Sequence, residues 1–327
     1  MKEFVIQRND SNQRVDKFLG KAVKGLPKSL MYKYIRLKRI KVNGKRCEIS
    51  TILQEGDLLS LYINDEFFSS LKDPVTSFLQ APTALQIVYE DENILLIDKP
   101  PGLVVHEDNR QLADSLINRI KHYLYKKGEY DPKNENSFAP ALANRIDRNT
   151  GGIVIAAKNA EALRILCDKI KYREMDKRYL AVVHGIPKKK SDTLEGFLEK
   201  NESKNQVYLK NSKTAEAKTI KTKYRVLQSK NNLSLVEIEL LTGRTHQIRA
   251  HMASIGHPLL GEGKYNKSTK DRKMGFDKQA LYSYSLKFDF KTDAGILNYL
   301  NGNRFTVKKV WFAEELFGTE YTKLLEK

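Results

Sequence analysis

A single carboxylate stands between two guanidinium groups in the stretch NRIDRNTGG, residues 144–152. Asp147 is flanked by Arg145 and Arg148, and the pair Gly151-Gly152 follows closely. An aspartate beside arginines is most often part of a surface ion pair. The alternative is a catalytic carboxylate, because a guanidinium keeps a carboxylate ionised in a desolvated pocket, where it can act as nucleophile or base. The two glycines would let the backbone approach a ligand closely.

Two further segments place polar side chains at the ends of apolar strands. In KRYLAVVHG, Tyr179 begins a predicted strand, and in LLTGRTHQIRAHM, Arg244 lies between a strand and a helix. Strand ends that feed into a cleft are good positions for catalytic groups. A base that leaves its stack needs an aromatic or apolar platform, which Tyr179 could supply. Taken alone, Tyr179 would be a core aromatic and Arg244 a surface cation.

Several common catalytic motifs are absent from the sequence. There is no GxxxxGK[ST], no GxGxxG after a strand, no HExxH and no GxSxG. His246 and His251 are five residues apart, so a helix turns them to different faces and disfavours a metal site. We therefore expect neither a metal nor an organic cofactor. A glycosidase usually needs a second carboxylate, and none is obvious near Asp147. Moving a sugar bond from base nitrogen to base carbon involves neither hydrolysis nor redox change, so one carboxylate suits it.

The charge balance predicts a nucleic-acid partner. The 327 residues include 58 Lys+Arg and 40 Asp+Glu, a net charge of +18, which attracts polyanions. No apolar run approaches the roughly 20 residues of a membrane span, and the first residues contain no apolar signal core. The two cysteines, Cys47 and Cys167, lie far apart and fit a reducing compartment. We expect a cytoplasmic, RNA-binding protein with no membrane association, and a monomer by default.

Residues 1–66 form a small predicted domain of two helices and a few strands. An apolar stripe on the second helix is followed by IKVNGK, in which Asn43-Gly44 is a favoured hairpin turn. Cations continue from that helix into the hairpin, which favours one RNA-binding surface over a merely solvated helix face. These cations are Lys28, Lys33, Arg36, Lys38, Arg39 and Lys45.

Residues 67–84 lack clear periodicity, contain two prolines and are predicted to be a linker. From residue 85 to 327, strands and helices mix without regular βαβ alternation. This pattern predicts an α+β domain with a largely antiparallel or mixed sheet.

Together these segments resemble the RluA/RluD-type family of pseudouridine synthases over nearly the whole chain. The resemblance rests on DKPPG at 98–102, NRIDRNTGGIVIAAKN, YLAVVHG and GRTHQIRAHMASIGHPLLGEGKY. The first 65 residues resemble the RNA-binding module shared with ribosomal protein S4. The implied fold is a mixed sheet split by a basic cleft, with the RNA module on a flexible tether.

The resemblance also implies roles for individual residues. Asp147 matches the catalytic aspartate, and Tyr179 matches a tyrosine that stacks on the flipped uracil and takes part in proton transfer. Arg244 matches the arginine paired with that aspartate. Arg145 matches an RNA-contacting residue that fills the space vacated by the base, and Leu281 matches an apolar residue on the other side of the pocket.

The implied activity is isomerisation of uridine in RNA to pseudouridine, opened either by attack of the aspartate on the anomeric carbon or by removal of the neighbouring sugar proton. The RNA module and a C-terminal tail similar to the RluC-type branch favour large-subunit ribosomal RNA as the substrate. A tRNA pseudouridine synthase and an RNA-binding ribosome assembly factor without catalysis are the alternatives. A glycosidase or nuclease is a further one, but it requires a second carboxylate or a metal. Asn144, where the family usually has His, is a departure whose effect the sequence does not decide.

Overall fold

The computed structural model describes residues 1–71, 76–107, 114–201, 206–210, 212, 214, 216–266 and 268–325. Its N-terminal part contains β1 (Lys2–Val5), α1 (Val15–Ala22), α2 (Lys28–Arg36), β2 (Ile40–Val42), β3 (Lys45–Arg46) and β4 (Leu58–Leu61). The four strands form an antiparallel sheet in the order β1-β4-β2-β3, and both helices contribute to one apolar core with it. We call this part the N-terminal module.

The apolar stripe predicted for α2 is the face that packs into the module. Met31, Tyr34 and Ile35 are buried there, while the basic side chains of the same helix stay exposed. The predicted hairpin turn joins β2 to β3. Asn43 and Gly44 have φ angles of 52° and 73°, the left-handed pair that a type I′ turn requires.

The remaining described strands form one large mixed sheet. They are β5 (Ile87–Glu90), β6 (Ile94–Lys99), β7 (Ala141–Leu142), β8 (Gly151–Ala157), β9 (Met175–His184), β10 (Ser191–Asn201), β11 (Gln206–Lys210), β12 (Lys218–Lys230), β13 (Leu233–Leu240), β14 (Leu281–Phe288) and β15 (Arg304–Thr306). The order is β11-β10-β12-β13-β9-β14-β8-β6-β5, with β15 beside β14 and β7 beside β8. The β8 and β14 strands are parallel, and the other described pairs are antiparallel. The α+β prediction with a mixed sheet is confirmed.

Helices cover both faces of this sheet. They are α3 (Leu116–Lys126), α4 (Ala160–Lys171), α5 (Gln247–Ser254), α6 (Thr269–Lys273) and α7 (Trp311–Phe317). On β9, Tyr179 and Ala181 face the core that α3 and α5 share, whereas Leu180 and Val182 face the α7 side. This alternation follows from the two-residue period of a strand. Within the described part of the chain, no helix has the length and apolar character needed to cross a bilayer.

The two glycines after Asp147 begin β8 and allow that strand to pack closely against β14. A Cβ on Gly152 would lie 2.2 Å from the carbonyl oxygen of Ser283, and one on Gly151 would lie 2.3 Å from the ring of Tyr282. Gly152 also has a φ of 111°, which side-chain-bearing residues rarely adopt. The expectation that this bend serves a ligand was therefore wrong, because the neighbouring strand β14 occupies the space.

Short 3₁₀ helices at Asp65–Leu71 and Ser77–Gln80 occupy parts of the predicted linker. Residues 72–75 of that linker lie outside the described residues. Phe78 is 2% exposed and packs into the core beneath α3. The boundaries 1–66, 67–84 and 85–327 remain a prediction.

The N-terminal module contacts the large domain directly. Asp10 is buried, and its carboxylate accepts hydrogen bonds from the Ser137 hydroxyl at 2.6 Å and from the Asn136 amide at 2.8 Å. The amide of Asn9 donates to Glu135 at 2.9 Å. The module is thus held by a polar interface, and the flexible tether implied by the resemblance does not describe this arrangement.

Candidate active site

A cavity of about 490 Å³ opens where β9, β13 and β14 meet the start of α5 and the loop before β8. This volume lies within the range of roughly 300–1,000 Å³ found for small-molecule sites. The predicted site residues of the large domain all line it: Arg145, Asp147, Tyr179, Arg244 and Leu281. The fold therefore brings together side chains from four segments that are far apart in sequence.

Asp147 lies in the loop between β7 and β8, with its side chain 25% exposed. Its Oδ2 accepts a hydrogen bond from Nη1 of Arg249 at 3.1 Å. Arg244 was expected in this place, but it is exposed, and no ion pair among the described residues joins it to Asp147. The reason is helix phase: Arg249 lies in the first turn of α5 and points into the domain, whereas Arg244 precedes the helix.

Arg249 is fixed from behind by a second carboxylate. Its Nε and Nη2 donate to the two oxygens of Glu262 at 2.8 and 2.6 Å, and the Glu262 side chain is fully buried. Burial alone would lower the pKa of Arg249, but the bonds to Glu262 and Asp147 outweigh it and raise the pKa. Burial would also raise the pKa of Glu262, but the bonds from Arg249 and from backbone N–H groups lower it. The guanidinium therefore stays charged and oriented toward Asp147.

His246 completes the polar side of the cavity as a neutral group. Its Nε2 lies 3.8 Å from Oδ2 of Asp147, and its Nδ1 lies 3.0 Å from the hydroxyl of Tyr265. Burial lowers the pKa of His246 to about 4, so the imidazole carries no charge at neutral pH. Among the described residues, no three His, Cys, Asp or Glu side chains are grouped to hold a metal ion.

Tyr179 and Leu281 form the apolar side. They are 6% and 4% exposed and belong to the same hydrophobic core. Burial raises the pKa of Tyr179 to about 12, so its phenol is neutral at physiological pH. A planar ring and an aliphatic side chain that line the same cavity are suited to hold a flat base.

Lys99 ties the loop that carries Asp147 to the bend after β6. The side chain is buried, and Nζ donates to the carbonyl oxygens of Pro100 at 3.0 Å, Leu103 at 2.9 Å and Arg148 at 2.9 Å. These carbonyls can accept all three protons of the ammonium form, whose pKa burial lowers to about 7. Because one acceptor directly follows Asp147 in the chain, Lys99 restricts where the carboxylate can lie.

Sequence reasoning missed Lys99, Arg249 and Glu262 as individual residues, although all three lie within the quoted motifs DKPPG, GRTHQIRAH and GEGKY. The motifs contain more polar residues than one site can use, and only the folded chain selects among them. Asn144 has a backbone role, since its Oδ1 accepts a hydrogen bond from the N–H of Ile155 at 2.8 Å.

The cations predicted to bind RNA in the N-terminal module lie on its surface. Lys28, Lys33, Arg36, Lys38, Arg39 and Lys45 are all exposed. Among the described ion pairs, none involves these side chains. Lys28 and Arg39 lie over the rings of Tyr32 and Tyr34, 5.7 and 5.8 Å from the centroids. Their RNA contacts remain a prediction.

The chain matches two family models. Residues 93–254 match the RNA pseudouridylate synthase family, and residues 13–59 match the S4 domain.

Sequence relatives extend over most of the chain. It is 31% identical to an uncharacterized RNA pseudouridine synthase of Mycoplasma capricolum, over 94% of this chain and 97% of that protein. It is 30% identical to ribosomal large subunit pseudouridine synthase C of Haemophilus influenzae, over 91% of this chain and 90% of the relative. The corresponding Escherichia coli protein is also 30% identical, over 88% of each chain.

A solved structure shares the fold over about three quarters of this chain. Human RNA pseudouridylate synthase domain containing 4 aligns with a TM-score of 0.54 and 20% identity, over 73% of this chain and 92% of that one.

Proposed function

This chain belongs to the RNA pseudouridylate synthase family, and on that premise we propose that it converts specific uridines of large-subunit ribosomal RNA to pseudouridine, with Asp147 as the catalytic carboxylate. As a member of that family it is an isomerase that acts on RNA. The observation that carries the assignment to Asp147 is its position. It is the partly exposed carboxylate of the cavity, and it is held by a buried arginine that a second carboxylate fixes.

The arrangement suits a reaction that begins at the sugar of a flipped nucleotide. The uracil ring would lie between Tyr179 and Leu281, with its ribose toward Asp147. The carboxylate either attacks the anomeric carbon or removes the neighbouring sugar proton, and the bond to ring nitrogen one breaks. The uracil turns and its ring carbon five bonds to the anomeric carbon. In the first route the ester bond to Asp147 breaks in this step, and in the second the proton taken by Asp147 returns to the sugar carbon. Carbon five then loses its proton and nitrogen one gains one.

Two properties of the cavity support these steps. Arg249 orients the carboxylate of Asp147 through a hydrogen bond, and the neutral His246 adds no competing charge. Tyr179, with its pKa raised to about 12 by burial, is a neutral phenol, so it would relay the proton from carbon five by passing its own hydroxyl proton to an acceptor in the same step. Because the phenol ring of Tyr179 is uncharged, it can lie against a neutral uracil without a counter-ion of its own.

The choice of ribosomal RNA is supported by the relatives and by the N-terminal module. Two relatives named ribosomal large subunit pseudouridine synthase C align over 88% or more of this chain. The S4 match coincides with the module whose six exposed cations have no acidic partner among the described residues. A polycationic surface beside the catalytic domain is suited to a long, folded RNA.

The experiment compares two RNAs and three proteins. Unmodified large-subunit rRNA transcript and a tRNA pool are each incubated with the wild type, with Asp147→Asn, and with the matched control Asp168→Asn, which neutralises an exposed aspartate on α4. Pseudouridines are mapped by carbodiimide adducts that stop reverse transcriptase. We expect stops in rRNA with the wild type and the control, and none with Asp147→Asn.

The other outcomes separate the alternatives. Stops confined to tRNA would show that tRNA, and not rRNA, is the substrate, and would leave the proposed mechanism unchanged. Tight, salt-sensitive rRNA binding without stops would favour a non-catalytic assembly factor. Stops that persist in Asp147→Asn would remove Asp147 from the chemistry.

A further inference from the structure

The cavity extends beyond Asp147 and Tyr179 along β9. This extension is lined by Lys171 at the end of α4, by Arg173 in the following turn and by Lys177 on the strand. We call these three side chains the cationic annex. These side chains have no role in the proposed mechanism and do not belong to the N-terminal module.

The strand period separates the charges of KYREMDKR, residues 171–178. Met175, Lys177 and Tyr179 alternate along β9 and line the cavity, so the cation shares a face with the tyrosine. Asp176 lies on the other face, where it binds Arg178 and Arg304, each at 3.0 Å. A segment of mixed charge thereby presents only cations to the cavity.

The remaining acidic residue of the segment is also engaged elsewhere. Glu174 is buried and accepts a hydrogen bond from Lys169 at 2.8 Å. In the part of the chain that the structure describes, no carboxylate lies within ion-pair distance, 4.0 Å, of Lys171, Arg173 or Lys177. Lys177 is half-buried, and burial lowers its pKa. A partly desolvated ammonium without a counter-ion favours an anionic ligand.

We propose that Lys171, Arg173 and Lys177 bind backbone phosphates of the single-stranded RNA that flanks the target uridine. The inference rests on the proposed function, because the strand must run along β9 if the uracil lies against Tyr179. Phosphate is the ligand because three cations in a row match the repeating charge of an RNA strand, whereas a neutral base offers no such repeat. The annex would hold the strand while its base is out of the stack, independently of the N-terminal module.

The test measures binding of short oligouridylate, which does not require turnover. Equilibrium binding is measured over a range of salt concentrations for the wild type, Lys177→Met, Lys177→Arg and the double variant Lys171→Ser/Arg173→Ser. Lys308→Met removes an exposed cation outside the cavity lining and is the matched control. A second oligomer with uncharged methylphosphonate linkages distinguishes phosphate contacts from base contacts.

We expect Lys177→Met to weaken binding about tenfold. The slope of log affinity against log salt should also become shallower by about 0.7, the value for one phosphate contact on a single strand. Lys177→Arg should restore both, the double variant should lose more, and the uncharged oligomer should not distinguish Lys177→Met from the wild type. Because Lys171 and Arg173 are exposed, the double variant tests the annex even if Lys177→Met folds poorly.

Unchanged affinity and salt slope in both the single and the double variant would overturn the proposal, as would an equal effect in Lys308→Met. Release of tritium from uridine labelled at carbon five is measured on rRNA in parallel. Release by the wild type together with unchanged oligomer binding would reject the annex and keep the proposed function. Absence of tritium release together with the expected binding changes would keep the annex and reject the proposed function.

Discussion

Replacing Arg249 by methionine tests which arginine holds Asp147, the proposed catalytic carboxylate. The substitution removes three charge-assisted hydrogen bonds, at 2.6 and 2.8 Å to Glu262 and at 3.1 Å to Asp147. Glu262, whose side chain has no exposed surface, then loses the guanidinium that binds both of its oxygens. Removing one partner of a buried ion pair costs about 3–5 kcal/mol. We expect the free energy of unfolding to fall by that amount.

Catalysis should fall as well. Without the guanidinium, the pKa of Glu262 rises, and Asp147 loses the hydrogen bond that orients its carboxylate. Loss of a fixed, oriented donor of this kind typically lowers kcat on the order of 100-fold. The assays are urea unfolding followed by circular dichroism and single-turnover tritium release from RNA labelled at carbon five of uridine.

Arg244→Met is the matched control, since it removes the same charge from the same cavity rim. Arg244 is exposed, so we expect its loss to change stability by no more than about 0.5 kcal/mol and to raise KM more than it lowers kcat. Arg249→Lys keeps a cation but not the two-pronged geometry, and should give an intermediate rate if Arg249→Met folds poorly. Loss of turnover in Arg244→Met, together with a wild-type unfolding free energy and turnover rate in Arg249→Met, would show that Arg249 does not hold Asp147 for catalysis.

Three further outcomes are expected. In the folded chain the pKa of Glu262 is below its usual 4.5, so the stability that the ionised carboxylate contributes is fully present above that pH and is lost as the pH falls. Glu262→Gln should therefore be less stable than the wild type at neutral pH, and this difference should shrink in acid. Urea unfolding of both proteins at neutral and at acidic pH measures the difference. Tyr179→Phe keeps the ring, so KM should hold while kcat drops by about 100-fold or more through loss of proton transfer, and equal kcat in steady-state assays would exclude that role. Lys99→Met removes the three hydrogen bonds that Lys99 donates to the carbonyls of Pro100, Leu103 and Arg148; we expect a loss of about 2–4 kcal/mol in unfolding free energy, and an unchanged thermal midpoint would contradict it.

Much of the fold followed from local patterns. The apolar stripe of α2, the Asn43-Gly44 turn and the mixed sheet are confirmed, because periodicity and turn chemistry act over a few residues. The residues chosen for the site also converge, in that Asp147, Tyr179 and Leu281 line one cavity. Their catalytic roles come from the family resemblance and remain predictions.

The errors arose where two segments had to meet. The glycines after Asp147 allow close packing against β14, and no local pattern names that neighbour. The choice between Arg244 and Arg249 depends on where α5 begins and which side of its first turn faces the sheet. Glu262 was missed for the same reason, because its partner Arg249 lies on α5 and the two side chains meet only in the folded chain.

The sequence by itself determined the family and the class of reaction, because the motifs that identify the family are runs of neighbouring residues that can be recognised without the fold. The tertiary structure alone decided which charges meet. It paired Arg249 with Asp147, placed Glu262 behind them and turned Lys171, Arg173 and Lys177 toward the cavity while Glu174 and Asp176 bind other partners. The physical reason is that ion pairs and cavities depend on distances of a few ångströms between segments far apart in the chain, which only packing sets.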